Sequence, residues 1–121
     1  MFIRKLKDCK QFVAGDNSLL REILHPDKED LSIRYSLAYA VVNPGETTAL
    51  HSLKTSEVYY ILSGSGLMEI DGSQQAVSVN DTVYIPPEAV QRISNTASED
   101  LVFLCIVDPA WRVEDEKVVN K

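Results

Sequence analysis

The chain has 121 residues, of which 45% are hydrophobic and 25% charged, the size and composition of one globular domain with a core of its own. A net charge of −6 argues against nucleic-acid partners and against docking on an anionic membrane surface. No long apolar run opens the chain, so neither a signal peptide nor a membrane span is expected. Cys9 and Cys105 match no zinc-ligand spacing and read as free thiols in a reducing cytoplasm, the expected location.

In chain order, Phe2, Ile3, Leu6, Phe12 and Val13 give the first segment a loose apolar alternation. Residues 16–24 are ambiguous. Asp16 or Ser18 can cap a short helix, yet Leu19, Leu20, Arg21, Glu22, Ile23 and Leu24 suit a strand about as well. Residues 33–42 are rich in Tyr and Val and read as a strand stopped by Asn43, Pro44 and Gly45. Residues 58–62 are β-branched and aromatic, which also favours a strand. Residues 64–66 read as a tight turn. A strand at 67–70 then meets Asp71-Gly72, a strong hairpin signal.

Further strands are expected at 76–79, closed by Asn80 and Asp81, and at 82–85, running into Pro86 and Pro87. Another is expected at 91–94, closed by residues 95–98, and a last one at 101–107, ended by Asp108 and Pro109. Trp111 is expected to pack, and the charged tail at 112–121 to fray. Short strands at close spacing with turn residues between them predict a single all-β sandwich or barrel over residues 1–121.

Residues 45–64 carry His51, then Glu57 at the head of an alternating strand, between two glycines. With side chains repeating every second residue, His51 and Leu53 share one face. So do Glu57, Tyr59 and Ile61, and so do Gln91, Ile93 and Asn95.

This stretch resembles the first motif of the cupin superfamily, in which a glycine is followed by His-x-His, a glutamate and a second glycine. Gly45, His51, Glu57 and Gly64 fall in place, and Leu53 stands at the second histidine. Residues 80–95 keep the frame of the second motif. Pro86 and Asn95 match it, while Asn80 and Glu88 replace its glycines and Gln91 its histidine.

The resemblance implies a jelly-roll barrel, also described as a double-stranded β-helix. It implies a small-molecule site at the barrel mouth, with His51, Glu57 and Gln91 as candidate ligands of one divalent transition metal (iron, manganese, nickel or zinc). Leu53, Tyr59, Ile61 and Ile93 would line the pocket. It also implies a homodimer, with N-terminal strands at the interface.

Each candidate has a plainer reading beside it. His51 and Glu57 can form a buried hydrogen-bonded pair without metal, and Gln91 can satisfy polar neighbours or hold a substrate. His25, before Pro26, reads as a partly exposed strand end, although a nitrogen folded over the barrel mouth would complete a ligand set. Cys105 reads as an inert core thiol, and Arg21 with Glu22 as a solvated or interface pair. Arg92 reads as a surface residue bordering the pocket, and Asp81 and Asn95 as turn formers. Two function classes follow: a small-molecule binding barrel, or a cupin-type isomerase, lyase or dioxygenase on a small polar or carboxylated substrate.

Overall fold

A computed structural model of the chain describes residues 1–119. Its strands are β1 (Gln11–Val13), β2 (Leu19–Leu24), β3 (Ser36–Val42), β4 (His51–Leu53), β5 (Ser56–Ser63), β6 (Ser65–Ile70), β7 (Ser73–Ser78), β8 (Thr82–Ile85), β9 (Gln91–Asn95), β10 (Leu101–Asp108) and β11 (Glu116–Val118). They form two antiparallel sheets, ordered β1-β2-β3-β10-β5-β8 and β11-β4-β9-β6-β7. The expected all-β, two-layer architecture is the one observed.

The alternation read from the sequence sets the layers. On β5, Glu57, Tyr59 and Ile61 turn inward and are buried, while Tyr60 and Leu62 face outward. On β9, Gln91, Ile93 and Asn95 are inward, and on β4 His51 and Leu53 are. Tyr59, Ile61, Ile85, Ile93, Leu101 and Phe103 belong to the buried core. Each buried side chain of this size contributes roughly 1.5–3 kcal/mol. The rings of Tyr59 and Phe103 lie 4.4 Å apart between centroids, which is aromatic contact distance.

Several local expectations are corrected. Residues 19–24 form a strand because their backbone pairs with β1 on one side and β3 on the other. Asp16 holds a turn instead of a helix, its Oδ1 accepting from the amide and hydroxyl of Ser18. β3 starts only at Ser36. Before it, Arg34 reaches across to Asp108 and its carbonyl accepts from the amide of Ala110.

The turn expected over 64–66 is confined to Gly64, because Ser65 and Gly66 already pair with β7. Gly64 has φ +83°, and a Cβ there would sit 2.5 Å from the carbonyl oxygen of Asp100, so a side chain is excluded on both counts. The Asp71-Gly72 hairpin forms as read, with both residues at positive φ.

The tail does not fray within the described residues. Glu116, Lys117 and Val118 pair with Leu53, Ser52 and His51, because β4 offers an open edge there. Of the expected charged tail, residues 120–121 lie outside the described residues. β1 pairs with β2 of its own chain and forms the edge of its sheet. Arg21 donates to the carbonyls of Leu6 and Cys9, and Glu22 pairs with Lys28, so the two do not pair with each other. Both cysteines are free and buried.

Candidate functional site in the barrel

The two sheets separate enough at one end to leave a cavity of about 530 Å³. Its apolar walls include Leu20, Leu53, Tyr59, Phe103, Val107 and Trp111, and its polar lining includes Asp16, Ser18, His51, Glu57 and Glu116. Such a mixture is usual for small-molecule sites.

His51 is held by its own loop. Its Nδ1 lies 2.8 Å from the carbonyl oxygen of Ala49, and a carbonyl only accepts, so Nδ1 carries a proton. In the neutral form of the ring the lone pair is then on Nε2. It faces Asp16, whose Oδ2 is 3.9 Å away, beyond hydrogen-bond distance.

Glu57 sits at the start of β5, buried, and does not bond to His51 among the described residues. Its partner is Gln91, whose Nε2 donates to Glu57 Oε1 at 2.7 Å. Gln91 Oε1 in turn accepts from the hydroxyl of Tyr59 at 2.9 Å. Burial pushes the Glu57 carboxyl up to about 8, with the carboxylates of Asp16 and Glu116 adding to the rise and the Gln91 bond opposing it. Glu57 is therefore mostly protonated at neutral pH. Burial and the nearby Glu57 likewise raise the thiol of Cys105 and the phenol of Tyr59, so neither ionises readily.

The structure thus brings the three candidate ligands into one neighbourhood, with His51 opposite Gln91 across β4 and β9. Gln91 itself is fully buried behind Glu57 and does not line the cavity. Leu53 and Tyr59 line it, whereas Ile61 and Ile93 are sealed in the core beyond. The reason is depth, because two further residues along β5 and β9 the sheets have already closed on each other.

His25 is buried, not partly exposed. Its Nε2 donates to the carbonyl of Trp111 at 2.6 Å and its Nδ1 accepts from the amide of Asp27 at 3.1 Å. Both nitrogens are used in tying the end of β2 to the loop after β10. Arg92 pairs with Glu69 outside the cavity.

A transition metal needs several donors about 2.0–2.3 Å from one point. Among the described residues no three His, Cys, Asp or Glu side chains are grouped closely enough to share an ion. Leu53 offers no donor, and the Gln91 carbonyl is already taken by Tyr59. These residues do not fit a resident transition metal.

Spacing pointed to His51 and Glu57 but missed Asp16 as more than a cap, and it missed Trp111 and Glu116 as wall residues. Glu116 reaches the cavity only because β11 pairs with β4, and its Oε1 accepts from the indole of Trp111 at 2.9 Å. No periodicity linked the chain end to this site.

Two facing antiparallel sheets around a lined cavity define a β-barrel of the jelly-roll type. The cupin domain pattern matches residues 38–107, and the chain belongs to the cupin family. An uncharacterized protein of Methanocaldococcus jannaschii is 40% identical over 112 residues, covering 92% of this chain and 89% of that one. The oxalate-binding protein of Thermotoga maritima is 30% identical over 106 residues, covering 87% of this chain and 83% of the relative. Among solved structures, the polyketide cyclase RemF of Streptomyces resistomycificus superposes with a TM-score of 0.82 at 18% identity, covering all of this chain and 87% of that one. That last likeness is one of fold.

Proposed function

We propose that this chain binds a small organic molecule in the barrel cavity and holds it with the cavity-facing atoms of His51 and Glu57. The observation that carries this reading is the combination of a cavity of about 530 Å³ with a buried imidazole whose Nε2 has no hydrogen-bond partner among the described residues. A ring nitrogen that faces a cavity without a protein partner is open to a group on a bound molecule. The T. maritima relative, named for a bound small molecule, supports the same use of the fold.

The site has a chemical asymmetry. In its neutral form His51 offers a lone pair at Nε2, while Glu57 holds a proton near neutrality. On a bound molecule the first can take a proton and the second can give one. This supports a second reading, a metal-free acid–base enzyme. The metal-dependent cupin enzyme with iron, manganese, nickel or zinc on His51, Glu57 and Gln91 has only the resemblance behind it.

A thermal-shift and calorimetric screen of small molecules, combined with metal analysis of dialysed protein, tests these readings. The binding reading expects saturable 1:1 binding to the metal-free protein, weakened about tenfold in His51→Ala by loss of one hydrogen bond. A stoichiometric transition metal that disappears in His51→Ala and Glu57→Ala would replace it with the metal-dependent reading.

Pairing of two copies is also proposed. It is supported by two apolar rows across the outer face of the six-stranded sheet. Tyr84, Val58, Ile106 and Leu37 lie in register, as do Tyr60, Leu104 and Tyr39. Sedimentation should show a dimer that Ile106→Glu dissociates, and a monomeric wild type would remove this part of the proposal.

A further inference from the structure

We propose that the ligand of this cavity is an organic cation, an ammonium group carried on an apolar body. The proposal rests on the small-molecule reading of the same cavity and adds its chemical class.

The charged groups left unpaired by arginine or lysine in the cavity are carboxylates. Four carboxyl side chains line it: Glu22 is paired with Lys28, and the other three are Asp16, Glu57 and Glu116. Each of these three is tethered through one oxygen by a neutral donor: Asp16 Oδ1 by the amide and hydroxyl of Ser18, Glu57 Oε1 by Gln91, and Glu116 Oε1 by the Trp111 indole. Among the described residues the second oxygens of Asp16 and Glu116 have no hydrogen-bond donor, whereas Glu57, mostly protonated at neutral pH, adds no negative charge to the set. A third acceptor, in the neutral form of the ring, is His51 Nε2, on a side chain only 4% exposed. Fixed acceptors of this kind are complementary to a ligand that donates.

Among the described residues no arginine or lysine pairs with Asp16 or Glu116, and the one basic group facing Asp16 is the His51 ring, 3.9 Å away. The described arginine and lysine pairs are Arg4 with Glu29, Lys28 with Glu22, Arg34 with Asp108, Arg92 with Glu69 and Arg112 with Asp27. Lys28, the basic side chain that lines the cavity, is thus already tied to Glu22. A dicarboxylate such as oxalate would meet like charge here and, among the described residues that line the cavity, no unpaired guanidinium or ammonium.

A bare metal ion does not answer the arrangement either, because no three of these side chains converge on one point. An ammonium group bonds acceptors at about 2.7–3.2 Å and can bridge acceptors too widely spaced to share one ion. Around the opening, Phe12, Val13, Val113 and Val118 also line the cavity and are exposed. An apolar body extending from the ammonium group would cover them.

The test is calorimetric titration of the wild-type protein at neutral pH with shape-matched probes: 2-phenylethylamine against 2-phenylethanol and benzoate, and hexylamine against hexanol and hexanoate. The amines are expected to bind at least about tenfold more tightly than the alcohols, the increment of a charge-assisted hydrogen bond, and the carboxylates not to bind. In Asp16→Asn and Glu116→Gln the amine preference should fall about tenfold while alcohol affinity is unchanged. Alcohol or carboxylate binding as tight as the amine would overturn the cationic class and leave the cavity-binding reading standing. If no probe of any class binds, both fall. The comparison of probes on the wild type holds even where a variant fails to fold.

Discussion

Gln91 Nε2 donates to Glu57 Oε1 across 2.7 Å, so a neutral amide holds the carboxyl where the resembling motif has a histidine. Because Gln91 also accepts from the Tyr59 hydroxyl, its replacement strands two buried polar groups at once. Gln91→Leu is expected to lower unfolding free energy by roughly 2–5 kcal/mol, since orphaned buried partners are destabilising. Urea denaturation checks this. A change within about 0.5 kcal/mol would mean that the amide is not what holds Glu57 and Tyr59.

Glu57 makes stability depend on pH in an unusual direction for a carboxyl. Its folded value of about 8 lies above its ordinary value of 4.5. Below the ordinary value both states hold the proton, and the full stability contribution is present. Between that value and about 8 the unfolded chain binds fewer protons, so stability falls as pH rises, and above about 8 the difference stays constant. Thermal melts of wild type and Glu57→Gln, which keeps an acceptor for Gln91, should diverge from pH 5 to pH 8 with the variant increasingly favoured. Parallel profiles would show that Glu57 ionises normally.

The donor set predicts a gain of function. Leu53 and Gln91 stand where the resembling motifs carry histidine, and both are buried beside His51 or Glu57. Leu53→His combined with Gln91→His is expected to retain a stoichiometric divalent transition metal through dialysis, because it supplies three imidazoles and a carboxylate. Metal analysis of both proteins would show this, with the wild type retaining none. A wild type that keeps its metal contradicts the account of Gln91.

Backbone strain gives an independent check. Asn80 and Glu88 replace motif glycines yet keep the left-handed conformation, at φ +73° and +70°. Glycine at Glu88 relieves that strain, so Glu88→Gly should stabilise by about 1 kcal/mol. Gly64→Ala should destabilise by more than about 2 kcal/mol, since its Cβ would meet the backbone of Asp100. Chemical denaturation of the two variants should give opposite signs. The same sign in both would contradict the φ assignments.

Much of the fold was legible because it rests on local signals. Alternation at Glu57, Tyr59 and Ile61 set the inward face of β5, and Asp71-Gly72 set its hairpin. Strand 19–24 was not legible, because its pattern suits helix and strand alike and only pairing with β1 and β3 decides. The site was legible at His51 and Glu57, which lie within one motif. Asp16 and Glu116 approach from near the two ends of the chain through tertiary pairing that leaves no periodic trace. His25 misled because local context cannot reveal that Trp111 will take its ring nitrogen.

The central claim is that the barrel cavity is a small-molecule binding site. Ala38 lines it from β3, so Ala38→Phe fills the space without touching His51 or the carboxylates' tethers. Melting of wild type and Ala38→Phe should be compared in the presence of the tightest small molecule found for the wild type. The account predicts a rise of several degrees in the wild type at about 100 times the dissociation constant, and no rise in the plugged variant. An equal rise in both proteins would contradict it.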